Sequence, residues 1–131
     1  MNAQIHPLDR LRRTVKTLRS PAGCPWDRKQ TVTSLKKHLQ EECDEIIAAI
    51  DKNDPENLCE ELGDFLYLIV MLAEISRDQQ QFALEDVIDS IDEKLIRRHP
   101  HVFEKYADLD ESELKTQWER IKQHEKANKS S

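Results

Sequence analysis

The stretch HLQEECDEIIAAIDKNDPENLCEELGDFLYLIVMLAEI, residues 38–75, reads as two helices joined by a tight turn. Leu35, Leu39, Cys43, Ile46 and Ile50 recur every three or four residues, the spacing of one helical stripe, and predict a helix over 33–52. Asn53-Asp54-Pro55 stops that helix and caps the next, expected over 55–79, on which Leu58, Leu62, Leu66 and Ile69 form the stripe. From Phe65 to Ala73 the second helix is apolar on every face, so it must be covered all round. A small bundle covers the outer side of such a helix poorly, and this stretch is therefore expected to enter a subunit interface as well.

Outward from this hairpin the pattern stays helical. Pro7, Leu8, Leu11, Val15 and Leu18 mark a helix ending near Ser20, and SPAGCPWDRKQ, residues 20–30, reads as an ordered loop because two prolines and a glycine interrupt it. Val87, Ile88, Ile91 and Leu95 face inward on a helix expected over 84–98, closed by His99-Pro100. Asp110 with Glu113 suits a cap for a last helix bearing Leu114, Trp118 and Ile121, and the polar tail from Lys126 is expected to fray. The sum is an all-α bundle of four to five helices, a single domain with its core over about 6–124, oligomeric as a homodimer or homotetramer.

Composition agrees. Two glycines and five prolines among 131 residues, with 37% hydrophobic and 35% charged residues, favour long helices over strands that need frequent turns. The net charge of -6 argues against nucleic acid as a partner, since an acidic surface repels the phosphate backbone. Cys24, Cys43 and Cys59 are odd in number and form no C-x2-C pair, which points to a reducing cytoplasm without disulfides or a zinc ribbon. The start lacks the apolar core of a signal peptide, and residues 65–73 fall far short of the roughly 20 apolar residues of a membrane span. No membrane partner is expected.

Five of the acids in the two hairpin helices form two groups. Glu41 and Glu45 are one turn apart with Glu42 on the adjoining angle, while Glu61 and Asp64 are spaced i, i+3. A short turn makes the helices antiparallel neighbours, so the two groups can meet. Glu-rich helices are most often solvated faces, but these positions argue otherwise. At about 100° per residue Glu42 lies some 60° from Leu39, and Glu61 and Asp64 share sides with Phe65, Leu68 and Met71. Two carboxylates at 4 Å repel by about 4 kcal/mol at an effective dielectric of 20, and neither cluster contains Lys or Arg. A hard divalent cation is the natural counter-charge, Mg2+ or Mn2+ ahead of zinc because no Cys and His set is arranged for it. Mg2+ held by carboxylates usually also meets substrate phosphates, which gives Lys94, Arg97 and Arg98 a purpose beyond favouring a helix C-terminus. Trp26 and Trp118 could stack on a base or pack in the core. His99 and His101 lack a third ligand and read as structural.

These segments together resemble a known family, the MazG-type nucleoside triphosphate pyrophosphohydrolases. Its E-E-x-x-E and E-x-x-D pattern is met by Glu41, Glu42, Glu45, Glu61 and Asp64, and GCPWD (23–27), ELGDFL (61–66), KLIRRHPHVF (94–103) and WERIK (118–122) are similar to family segments in the same order. The resemblance implies an all-α oligomer that uses Mg2+ to cleave a nucleoside triphosphate between the α and β phosphates. It implies Glu42, Glu45, Glu61 and Asp64 as metal ligands, Glu41 as the residue that orients or deprotonates water, and Lys94, Arg97 and Arg98 on phosphate. It also implies Trp118, and less strongly Trp26, at the nucleotide. Two departures stand out. The chain holds one such domain where longer members hold two, and Val32 and Cys43-Asp44 replace a histidine and a small-then-aromatic pair. The readings this leaves are a clean-up enzyme for nucleoside triphosphates, a narrower enzyme for deoxypyrimidine triphosphates or phosphoribosyl nucleotides, and a helical binding module without activity.

Overall fold

The structure is a computed structural model that describes residues 4–129, and the described residues form seven helices and no strand. They fall into two compact units, one running to Val87 and the other starting at Ile88, and each is taken by itself.

The first unit holds α1 (Pro7–Arg19), α2 (Pro25–Lys29), α3 (Lys36–Asp51), α4 (Pro55–Asp78) and the first turn of α5 (Leu84–Arg98). α1 starts where Pro7 needs no amide partner, with the His6 ring accepting from the Leu8 N–H at 3.1 Å. The expected continuous loop over 20–30 instead contains α2. Pro25 is tolerated there because it occupies the first helical turn, where a missing N–H breaks no bond. Gly23 makes the tight approach that turns the chain: a Cβ there would stand 2.2 Å from the Leu18 carbonyl oxygen. Arg19 then ties the segment down, donating to the carbonyls of Asp27 at 2.6 Å and Gln30 at 3.3 Å. Asp27 is buried and accepts the Tyr67 hydroxyl from α4, while burial and then this bond hold the Tyr67 pKa above its ordinary value.

α3 and α4 form the expected hairpin. Asn53 takes the left-handed conformation at φ 54°, and the Asp54 carboxylate caps α4 by accepting the Asn57 N–H at 3.2 Å. α3 starts later than expected because Thr31 and Ser34 bond each other's backbone in a turn of their own. Val15, Leu35, Leu68, Val70 and Met71 make the centre of the core, with Ala73, Ile75 and Leu84 around them. Each large side chain buried there is worth about 1.5–3 kcal/mol. Glu74, also buried, faces Arg12 at 3.4 Å, and Arg12 reaches Glu85 as well.

The stripes were only half right. Leu35 is buried, yet Ile50 is 58% exposed, Leu62 is 51% exposed, and Cys43 and Leu66 are exposed too. The core gathers residues from Leu68 onward on α4, so within this unit the turn end of the hairpin carries an uncovered apolar face. The expectation that Val87, Ile88, Ile91 and Leu95 point inward on α5 is likewise corrected, because all four are exposed.

The second unit comprises the rest of α5, the short α6 (Pro100–Phe103) and α7 (Glu111–Lys129). Asp110 and Glu113 form the expected reciprocal cap, Asp110 accepting the Glu113 N–H at 2.8 Å and Glu113 accepting the Asp110 N–H at 3.3 Å. The tail expected to fray from Lys126 is helical to Lys129. His99 and His101 have structural partners, the Leu95 carbonyl at 2.6 Å and the Gln117 amide at 2.9 Å. No helix among the described residues is long and apolar enough to cross a membrane.

Candidate metal centre

Glu42 stands eleven residues before Asn53 and Asp64 eleven after it, so the antiparallel hairpin brings them level. Glu61 joins them one turn earlier on α4. One oxygen from each of Glu42, Glu61 and Asp64 lies within 4.8 Å of the other two. Oxygens on opposite sides of one Mg2+ are about 4.2 Å apart, so small side-chain rotations suffice to close the three around an ion of that size.

The electrostatics are those of an anionic site suited to a cation. Glu42 is pushed up to about 7, first by burial, then by the close approach of Glu61, and further by the charges of Asp64, Glu61 and Glu45. Its Oε2 is enclosed and has no hydrogen-bond donor. A buried acceptor without a donor costs about 1–3 kcal/mol, more when charged, and a hard cation is the group whose chemistry removes that cost here. The residues present therefore fit Mg2+ or Mn2+.

The five acids are not equivalent. Glu45 lies outside the group of three and is exposed, although its charge acts on Glu42. Glu41 turns away, 68% exposed, with its Oε2 3.7 Å from His38 Nδ1. The His38 ring in turn meets Trp26 edge to face, centroids 5.2 Å apart, so the pinned α2 segment is joined to the acid helix through His38. His38 was missed from the sequence, although its i, i+3 spacing to Glu41 was there to be read.

In the second unit Lys94, Arg97 and Arg98 line an open cleft of about 680 Å3 together with Lys122, Glu125 and Lys129 of α7. The two arginines converge on Glu125: Arg97 Nε donates to Oε2 at 2.6 Å, and Arg98 donates through Nη2 to Oε1 at 2.8 Å and through Nε to Oε2 at 3.4 Å. These bonds, Arg98 first, hold the Glu125 carboxyl down to about 2. The Arg98 guanidinium also lies over the Trp118 ring, 4.9 Å from its centroid, while His99 meets the same ring at 6.2 Å. Arg98 and Trp118 are thus parts of one assembly, and Trp118 is exposed rather than core. Glu125 was missed, although it lies seven residues, two turns, after Trp118 on the same face.

The MazG nucleotide pyrophosphohydrolase domain model matches residues 30–103, which include Glu41, Glu42, Glu45, Glu61 and Asp64 and the three basic residues of α5. The chain is 52% identical over 117 residues to the nucleoside triphosphate pyrophosphohydrolase/pyrophosphatase MazG of Thermotoga maritima, covering 89% of this chain and 44% of that protein. It is 38% identical over 126 residues to the nucleoside triphosphate pyrophosphohydrolase of Escherichia coli K12, covering 95% of this chain and 48% of that protein. The chain thus spans less than half the length of these relatives. Among solved structures, a mazG-related protein from Thermotoga maritima matches with a TM-score of 0.74 at 31% identity, covering 88% of this chain and 98% of that one. Family model, relatives and solved structure agree with the hairpin of acids: the chain belongs to the MazG nucleotide pyrophosphohydrolase domain family.

Proposed function

We propose that this chain hydrolyses nucleoside triphosphates in a Mg2+-dependent reaction between the α and β phosphates, giving a nucleoside monophosphate and pyrophosphate. The observation that carries this reading is the convergence of Glu42, Glu61 and Asp64 around an enclosed oxygen that has no donor. Those three would hold the ion, with Glu45 adding charge, and Mn2+ would substitute for it. When bound, the ion supplies charge neutralisation at the phosphate oxygens. Glu41, exposed and free of the group of three, accepts the proton of the attacking water, a task for a carboxylate outside the ligand set. Lys94, Arg97 and Arg98 bind phosphate oxygens, and Trp118 and Trp26 offer ring surface to the base. Three free cysteines suit a reducing cytoplasm, where such an activity would clear unwanted triphosphates.

A panel of nucleoside triphosphates incubated with the full chain and Mg2+ tests the reaction directly. Monophosphate and pyrophosphate should appear in equal amounts. Orthophosphate and diphosphate instead would refute cleavage between the α and β phosphates.

We also propose that the chain assembles as a homodimer or homotetramer, with Ile47, Ile50, Leu62 and Leu66 in the contact. These four exposed apolar side chains lie on neighbouring helices of the hairpin, where the unit's own core does not reach. Sedimentation should give a mass at least twice that of the chain, and Leu62→Glu should shift it toward monomer. A wild-type monomer at micromolar concentration would remove the proposal.

A further inference from the structure

Arginine presents two edges to an anion. The side edge carries Nε–H and one Nη2–H, and the terminal edge carries an N–H from each of Nη1 and Nη2. Glu125 occupies the side edge of Arg98 through Nε and Nη2 and leaves the terminal edge clear of that carboxylate. The central carbon of the same guanidinium lies over the Trp118 ring, 4.9 Å from its centroid. A carboxylate on one edge and an aromatic ring against the cation together set the direction of this side chain. Glu125 Oε2 also accepts from Arg97, whose Nη1 reaches Glu93 at 3.4 Å. Side-chain exposure is 17% for Arg98 and 20% for Glu125, so both are largely covered, which limits the alternative rotamers open to them.

We propose that Glu125 is a positioning residue: it fixes Arg98 against Trp118 and so presents the terminal edge of Arg98 to a polyphosphate chain in the cationic cleft. This rests on the reading of Arg98 as a phosphate ligand, but it can be tested apart from hydrolysis. A guanidinium that is already oriented loses less side-chain freedom when it binds.

Positioning and simple charge predict opposite signs. Glu125 is an acid in a cleft rich in Lys and Arg, and on charge alone its removal makes the cleft more positive and tightens the binding of any anion. If Glu125 orients Arg98, removal frees the guanidinium and weakens binding. The probe is inorganic tripolyphosphate, titrated into the full chain in EDTA so that no divalent ion neutralises its charge. The readout is the fluorescence of Trp118 in a Trp26→Phe background. Glu125→Ala should weaken tripolyphosphate binding about fivefold to tenfold and change Trp118 emission before any ligand is added, because the stacked cation is released. Glu125→Asp should recover part of the affinity. In an Arg98→Ala background, Glu125→Ala should have no further weakening effect, since the residue it acts through is gone. Tighter or unchanged binding in Glu125→Ala overturns the proposal, as does an equal loss with Arg98 absent or no tripolyphosphate binding by the parent. A parent that binds tripolyphosphate in this way but cleaves no nucleoside triphosphate sinks the hydrolase reading and leaves Glu125 in its role.

Discussion

Asp64→Asn and Glu42→Gln should each lower Mg2+-supported turnover by about a thousandfold or more while leaving the helical circular dichroism of the chain intact. Each change is nearly isosteric, so packing against the neighbouring helix is preserved and only charge and one acceptor oxygen are altered. A neutral amide oxygen is a much poorer partner for a hard divalent ion than a carboxylate, and the loss of one ligand from a group of three removes both affinity and the geometry that orients phosphate. Transition-state charge stabilisation is commonly the largest single contribution to such reactions, and removing one well-placed group costs about a hundredfold to a thousandfold. Losing the ion removes more. The same substitutions relieve repulsion, about 4 kcal/mol for a pair at 4 Å and an effective dielectric of 20 before screening, so neither metal-free variant should unfold at a lower temperature than its parent. Glu41→Gln offers the contrast: turnover should fall with Mg2+ binding nearly unchanged, because Glu41 lies outside the group of three. Activity within tenfold of the parent in both Asp64→Asn and Glu42→Gln would remove their assigned roles.

The hairpin that carries these acids was legible because its signals are local. Apolar spacing marked both helices, and Asp54-Pro55 marked the turn to within a residue. The meeting of Glu42 with Asp64 then followed from two equal distances along an antiparallel pair. What could not be read was which part of each stripe is covered. Ile50 has the same periodicity as Leu35, yet it is exposed and Leu35 is buried, and on α4 the stripe residues Leu62 and Leu66 are exposed while Leu68, off that stripe, is buried. Periodicity states that a face is apolar, whereas its cover depends on where α1 and its neighbours pack. The α2 turn was hidden for a related reason: proline suggests a break, but in the first turn of a helix it costs nothing. The roles of His38 and Glu125 were lost in charged segments, where spacing alone does not select one polar residue over another. Their partners, Trp26 and Arg98, come from other elements.

Glu42 makes the pH response of the chain unusual: stability falls with pH without metal and levels out with it. Its folded-state pKa of about 7 is raised above the ordinary 4.5, so between those values the folded chain keeps a proton that the unfolded chain has released. Stability then falls as pH rises, because the folded state binds more protons. The contribution is complete below about 4.5 and lost as pH passes through about 7, so metal-free protein should melt at a higher temperature at pH 5.5 than at pH 8. A divalent ion needs the deprotonated carboxylate and must displace that proton. Apparent Mg2+ affinity should therefore drop about tenfold from pH 8 to pH 6 and approach a hundredfold by pH 5, where a carboxyl of ordinary pKa would produce almost no change down to pH 6. With saturating Mg2+ the ligand stabilises in proportion to the logarithm of concentration over Kd, and this gain grows as the proton leaves. Melting temperature should accordingly fall between pH 5.5 and 8 in EDTA and stay nearly level in saturating Mg2+, because the metal-bound folded chain keeps no extra proton to lose, and calorimetric titration should register release of about one proton per ion near pH 6. Parallel slopes, or an Mg2+ affinity flat down to pH 6, would mean that Glu42 does not share its proton site with the metal.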